Sequence, residues 1–301
     1  MAVETQPEEA GRIAEEERSR RQRLRKGLYL LPSAFTAANV GMGYFAVMAS
    51  LRGFQLLDGG GEAGLAQATA HFDNAGRAIG WAMLFDMLDG RIARLTKTTT
   101  EIGIQLDSLA DVLTFGIAPA VLVYAWGYGA VFPDGSPLHQ LGWFLSFMFL
   151  ICGAFRLARF NVQAMRPRTL AEGTAKVDKK NFVGLPIPAA AGLIAALIHF
   201  APQPLATYEP KLSTLYSGLL MALVAVLAAL MVSTIRYSSF KGVGAGRRSA
   251  TKMLLMLAAA GMLIWLYSRY FLLAIVGSYV LHGIVFRVAY FFRARFAPSK
   301  N

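Results

Sequence analysis

The chain has 301 residues, of which 55% are hydrophobic and 16% charged, with a formal net charge of +12 and a mean hydropathy of +0.44. Soluble domains carry about 25% charged residues, so this composition excludes an ordinary soluble fold and points to an all-α, polytopic integral membrane protein. The single cysteine, Cys152, lies in an apolar run and cannot close an intrachain disulfide, which leaves no case for an oxidised, secreted domain.

Residues 1–26 form a charged segment without the apolar stretch that a signal peptide needs. Glu15, Glu16 and Glu17 precede a basic run from Arg18 to Lys26, and the i,i+4 pairs Glu16–Arg20 and Glu17–Arg21 favour a helix. The segment suits either contact with anionic lipid or a solvated tail that sets topology. A bilayer crossing needs about 20 apolar residues. Eight candidate runs follow: Leu28–Leu51, Asp73–Leu95, Ile104–Trp126, Leu141–Phe160, Val183–Phe200, Leu215–Thr234, Met253–Tyr267 and Phe271–Phe292. The glycine-rich stretch from Asp58 to Glu62 reads as an external connection. Pro186 and Pro188 inside the fifth run predict a kink or a broken helix. Only Ser268, Arg269 and Tyr270 separate the last two runs, which predicts a tight helical hairpin. The expected organisation is a charged segment over 1–26, a six-helix core over 27–240, and a hairpin with a basic tail over 241–301, about eight transmembrane helices in all. His199 and His282 fall toward helix ends and read as structural.

Lysine and arginine decide orientation. With the N-terminus in the cytoplasm and the spans alternating, 26 of the 30 basic residues fall inside. The four outside are Arg52, Arg77, Lys211 and Arg269. Both termini are therefore expected in the cytoplasm. The positive excess then faces the anionic inner leaflet, so the net charge needs no nucleic-acid partner.

Charges within membrane spans are costly and usually functional. Four acids sit in or at the ends of two consecutive apolar runs, toward the cytoplasmic side: Asp86, Asp89, Asp107 and Asp111. Asp86 and Asp89 are i,i+3 on one helix, with Gly90 and Arg94 continuing the face. Asp107 and Asp111 are i,i+4 on the next, with Gly103 one turn earlier. The short connection Thr96–Ile102 makes the two helices antiparallel neighbours. Four carboxylates so placed need cations, and an all-oxygen set without His or Cys selects hard ions such as Mg²⁺, Mn²⁺ or Ca²⁺. Two such ions can clamp a pyrophosphate during in-line displacement. The glycines allow a nucleotide close to the backbone, and Arg94 offers a fork suited to phosphate. Spacing alone leaves three readings open: an enzyme, a cation pathway in a transporter, and structural pairing with Arg91 and Arg94. The absence of an internal inverted repeat weighs against the transporter.

Residues 86–111 read D-M-L-D-G-R-I-A-R, eight residues, then G-I-Q-L-D-S-L-A-D. The string resembles the CDP-alcohol phosphotransferase signature D-x2-D-G-x2-A-R-x8-G-x3-D-x3-D at every fixed position. The resemblance implies a helical membrane fold, homodimeric, with its active site open to the cytoplasm. It also implies that Asp86, Asp89 and Asp107 ligate metal, that Asp111 serves as ligand and base, and that a CDP-linked donor lies over Gly90, Arg94 and Gly103.

Three further stretches narrow the branch: Q-L-D-S-L-A-D-V-L-T-F-G-I-A-P-A from Gln105, G-A-F-R-L-A-R-F-N from Gly153, and F-V-G-L-P-I-P-A-A from Phe182. They are similar to the serine-accepting, membrane-embedded bacterial branch of the family, over about Leu31–Phe240. That likeness implies CDP-diacylglycerol and L-serine as substrates and the bacterial inner membrane as the location. Thr114 stands where the branch has Ser, and Ser33 follows Pro32 where relatives often have Asn. A serine acceptor needs a cation for its carboxylate. Arg156 and Arg159, i,i+3 at the cytoplasmic end of a span, are the candidates, with Arg159 slightly favoured and Asn161 adding a hydrogen bond. Lys179, Lys180 and Asn181 precede the next span and can cover the pocket. The plainer reading of all these cations is that they anchor helix ends or meet lipid head groups. Other acceptors on the same scaffold, glycerol phosphate or inositol phosphate, would call for more phosphate-binding cations.

Overall fold

The computed structural model describes residues 34–59, 61–96, 101–165, 181–238 and 250–296. The charged N-terminal segment, Pro32, Ser33, Lys179 and Lys180 lie outside these residues. Helix α1 spans Ala34–Gln55, and α2 spans Gly61–Thr96. At 36 residues α2 is about 54 Å long, well beyond the roughly 30 Å hydrocarbon layer. Helix α3 runs from Glu101 to Tyr128, with π-helical turns at Val112–Ile117 and Tyr124–Tyr128. The first π turn precedes Pro119, whose ring would meet the carbonyl four residues back in a regular α-helix. The wider turn relieves that clash without ending the helix.

Helix α4 is Pro137–Met165. Two three-residue strands, β1 (Asn181–Val183) and β2 (Arg236–Ser238), pair antiparallel with Phe182 opposite Tyr237. Between them run α5 (Ile187–Phe200) and α6 (Pro210–Val232), and α7 follows over Ala250–Phe296. Apart from the strand pair, the described fold is all-helical. The main packing pairs are α2 with α5, α4 with α6, and α5 with α7. Helix α5 is apolar all round and almost wholly buried, as an interior helix must be. A methyl group on Gly76 would lie 3.0 Å from the Ala195 carbonyl, so α2 and α5 touch backbone to backbone. Phe72, Ile79, Phe115, Leu122, Phe149, Ile194 and Leu227 fill the core around them.

Among the described residues, 6 helices are long and apolar enough to cross a membrane. The expectation of eight differs in two places. Helix α2 has the length, but Asp73, Arg77, Asp86, Asp89, Arg91 and Arg94 make it too charged to count as apolar. The two C-terminal runs follow one another without a loop, as two helices that meet at a kink at Tyr267 (φ −134°, ψ 39°), just before the turn expected at Ser268–Tyr270. The proline expectation also shifts. Pro186 caps the N-terminus of α5 and Pro188 occupies its first turn, where a missing N–H costs nothing, so the prolines start the helix and do not kink it.

Candidate active site

Helices α2 and α3 bring Asp86, Asp107 and Asp111 together. One carboxylate oxygen from each lies within 4.8 Å of the others. All three are half-buried, and Asp111 Oδ1 is enclosed with no hydrogen-bond partner among the described residues. Three carboxylates this close repel one another unless a cation sits between them. Gly90 lies partly buried beside them, and Gly103 is exposed. The side chain of Arg94 is outside the described residues.

Asp89 stands apart from this group. A step of three residues leaves two side chains about 60° apart around a helix, so Asp89 turns toward α1 while Asp86 faces α3. Asp89 is buried and accepts a hydrogen bond from Thr36. One turn along α1, the Asn39 carbonyl accepts from Thr114 Oγ1 at 3.3 Å, and Asn39 Oδ1 is enclosed without a partner among the described residues. The next turn carries Gly43, where a methyl group would fall 2.4 Å from Thr114 Oγ1. Thr36, Asn39 and Gly43 thus line the face of α1 that closes over α2 and α3. The stripe is absent from the expected site, and its i, i+3, i+7 spacing inside an apolar run is the signal for it in the sequence.

The cationic side comes from α4. Arg156 is buried at 8% exposure, interacts electrostatically with Asp111, and has an Nε without a partner among the described residues. Arg159 points elsewhere. Its guanidinium donates to the Val232 and Ser233 carbonyls at 3.4 Å each, capping the C-terminus of α6. Gly184 makes that junction possible. Its φ of +82° suits glycine, and a methyl group there would lie 2.4 Å from the Met231 carbonyl. Asn161 donates to Ser108 Oγ at 2.8 Å and so ties α4 to the aspartate helix.

The sequence model for CDP-alcohol phosphatidyltransferase matches residues 29–230. The chain belongs to this family. Its relatives include a Helicobacter pylori protein, 31% identical over 264 residues, which covers 86% of this chain and 91% of the relative. A Methanocaldococcus jannaschii protein is 32% identical over 160 residues, 53% of this chain and 61% of its own. A Saccharomyces cerevisiae protein is 41% identical over 118 residues, 39% of this chain and 38% of its own. All three are named CDP-diacylglycerol–serine O-phosphatidyltransferase. The protein is a multi-pass membrane transferase, and the family match encloses the aspartate helices, α4, α5 and most of α6. Helix α7 follows the matched region.

Proposed function

We propose that this CDP-alcohol phosphatidyltransferase moves the phosphatidyl group of CDP-diacylglycerol to the hydroxyl of L-serine, giving phosphatidylserine and CMP. The observation that carries this reading is a half-buried carboxylate triad set against one buried arginine with an unused donor. The relatives' names agree with it.

The triad fits divalent cations, since its donors are all oxygen and Asp111 Oδ1 is enclosed without a partner among the described residues. Asp86, Asp107 and Asp111 would hold Mg²⁺ or Mn²⁺, with Ca²⁺ a further hard ion, and Asp89 is the fourth candidate ligand. Bound ions would neutralise the donor's pyrophosphate. Gly90 and Gly103 leave room for the cytidine nucleotide, and Arg94 is placed on the sequence face suited to its phosphate. The serine hydroxyl oxygen bonds to the phosphorus that bears the diacylglycerol, its proton passes to the Asp111 carboxylate, and the bond from that phosphorus to CMP breaks. Arg156 is the partner for the serine carboxylate, because Arg159 is engaged with the end of α6. Asn161 acts by holding α4 against α3.

In this reading the site opens to the cytoplasm of a bacterium, both termini lie on that side of the inner membrane, and the protein works as a homodimer. Glycerol phosphate or inositol phosphate would bring a second phosphate, and Arg156 alone is a poor match for it. Family membership sets aside the cation-coupled transporter. The test is transfer from CDP-diacylglycerol to radiolabelled serine, glycerol phosphate and inositol phosphate in detergent, with lipid products separated by chromatography. Labelled lipid from serine is expected. Labelled lipid only from a phosphorylated acceptor would refute the reading.

A further inference from the structure

Helix α7 follows the matched family region, yet it reaches the site. Ser268 Oγ lies 2.9 Å from His199 Nε2, and the Tyr270 ring packs edge-on against Phe200, with centroids 5.5 Å apart. Further along, a methyl group on Gly192 would lie 3.7 Å from Val276 Cγ1. Nine residues of α7, from Ser268 to Val276, therefore run antiparallel to eight of α5, from His199 to Gly192. Three residues on, the helical rise brings Tyr279 level with the first turn of α5, where Ile187 packs against Gly153 of α4, three residues before Arg156. Val280 next to it is buried at 4% exposure, so this turn of α7 is packed in place. Tyr279, Arg159 and Asp111 are the ionisable neighbours of Arg156.

We propose that Tyr279 is a positioning residue of the acceptor subsite, its phenol holding the Arg156 guanidinium toward the acceptor's carboxylate. The proposal rests on the functional reading above. A buried guanidinium has five N–H donors that need acceptors. An acid at this place would pair with Arg156 and compete with the substrate carboxylate. A phenol is neutral near pH 7, so it can take a hydrogen bond from Arg156 and leave the positive charge for the substrate.

Tyr279→Phe removes one oxygen and keeps the ring. In the full-length protein in detergent, its KM for serine should rise about tenfold or more, with the KM for CDP-diacylglycerol held within about twofold. The increment should vanish in an Arg156→Lys background, because Tyr279 acts through Arg156. Tyr279→Glu is the second variant, and its carboxylate should raise the serine KM further. An unchanged serine KM in either variant overturns the proposal, as does a parallel rise in both KM values, which would mean general loosening of α7. Wild-type protein that forms no lipid from serine overturns the functional reading itself. Wild-type turnover with unaltered variants overturns only the role of Tyr279.

Discussion

Arg156 and Arg159 lie one turn apart on α4, and the proposed function gives them separable tasks. Arg156→Ala removes a buried donor that faces Asp111. Losing a charged hydrogen-bond partner costs about 1.5–3 kcal/mol, which at about 1.4 kcal/mol per decade is roughly a 10- to 150-fold rise in KM for serine. Lysine should restore only part of this, since an ammonium cannot match the planar fork. Arg159→Ala removes two bonds of 3.4 Å to the last carbonyls of α6. These are long for charge-assisted bonds, so with the helix-dipole contribution they are worth about 1–2 kcal/mol of stability. The expected result is a melting temperature lower by several degrees, at about 2–4 °C per kcal/mol, with an unchanged serine KM. Initial rates over a serine series at saturating CDP-diacylglycerol, alongside thermal unfolding in the same detergent, separate the two outcomes. If Arg159→Ala raises the serine KM as far as Arg156→Ala while its melting temperature stays put, the assignment is reversed.

Chelation should abolish turnover, and added Mg²⁺ or Mn²⁺ should restore it. Asp86→Asn and Asp107→Asn should be close to inactive with wild-type thermal unfolding, and full turnover in chelator would remove metal ligation from the mechanism. Asp111→Asn should lower kcat far more than it weakens CDP-diacylglycerol binding, measured by donor titration; loss of binding in step with turnover would reduce Asp111 to a ligand alone. Gly184→Ala should cost stability by at least the 1–3 kcal/mol of a left-handed non-glycine residue, because the added methyl also meets the Met231 carbonyl. An unchanged unfolding transition would show that the junction relaxes freely.

The aspartate pair spacings were legible because helical period and a short connection settle which residues face each other. Asp86, Asp107 and Asp111 come together on that logic alone. The position of Asp89 was not legible, since its orientation depends on a third helix, and only tertiary packing brings Thr36 to it. The same holds for the arginines. Two cations at i,i+3 look equivalent in sequence, and what distinguishes them is that α6 ends beside Arg159. The prolines of α5 read as interior in the sequence because hydropathy runs unbroken through Val183, whereas the strand pair takes up that residue before the helix begins. The C-terminal runs read as a tight hairpin outside the motif-bearing core because they carry no motif, and only tertiary packing against α5 brings α7 to the site.

Those contacts begin at the end of the molecule away from the aspartates. Asp73 on α2 and His199 on α5 are buried and hydrogen-bonded through His199 Nδ1, His199 Nε2 pairs with Ser268 on α7, and Arg77 closes on Asp73 at 2.9 Å. One polar cluster thus pins three helices at one level. From that level the helices are rigid rods rising about 1.5 Å per residue. Asp86 lies 13 residues beyond Asp73 on α2, about 20 Å along its axis, and Tyr279 lies 11 residues beyond Ser268 on α7, about 16 Å. The remote cluster therefore sets the depth of Asp86 on α2 and of Tyr279 on α7. This gives a polar cluster outside the active site a physical reason to exist: the cost of burying Asp73 and His199 is offset by the register it imposes on α2 and α7.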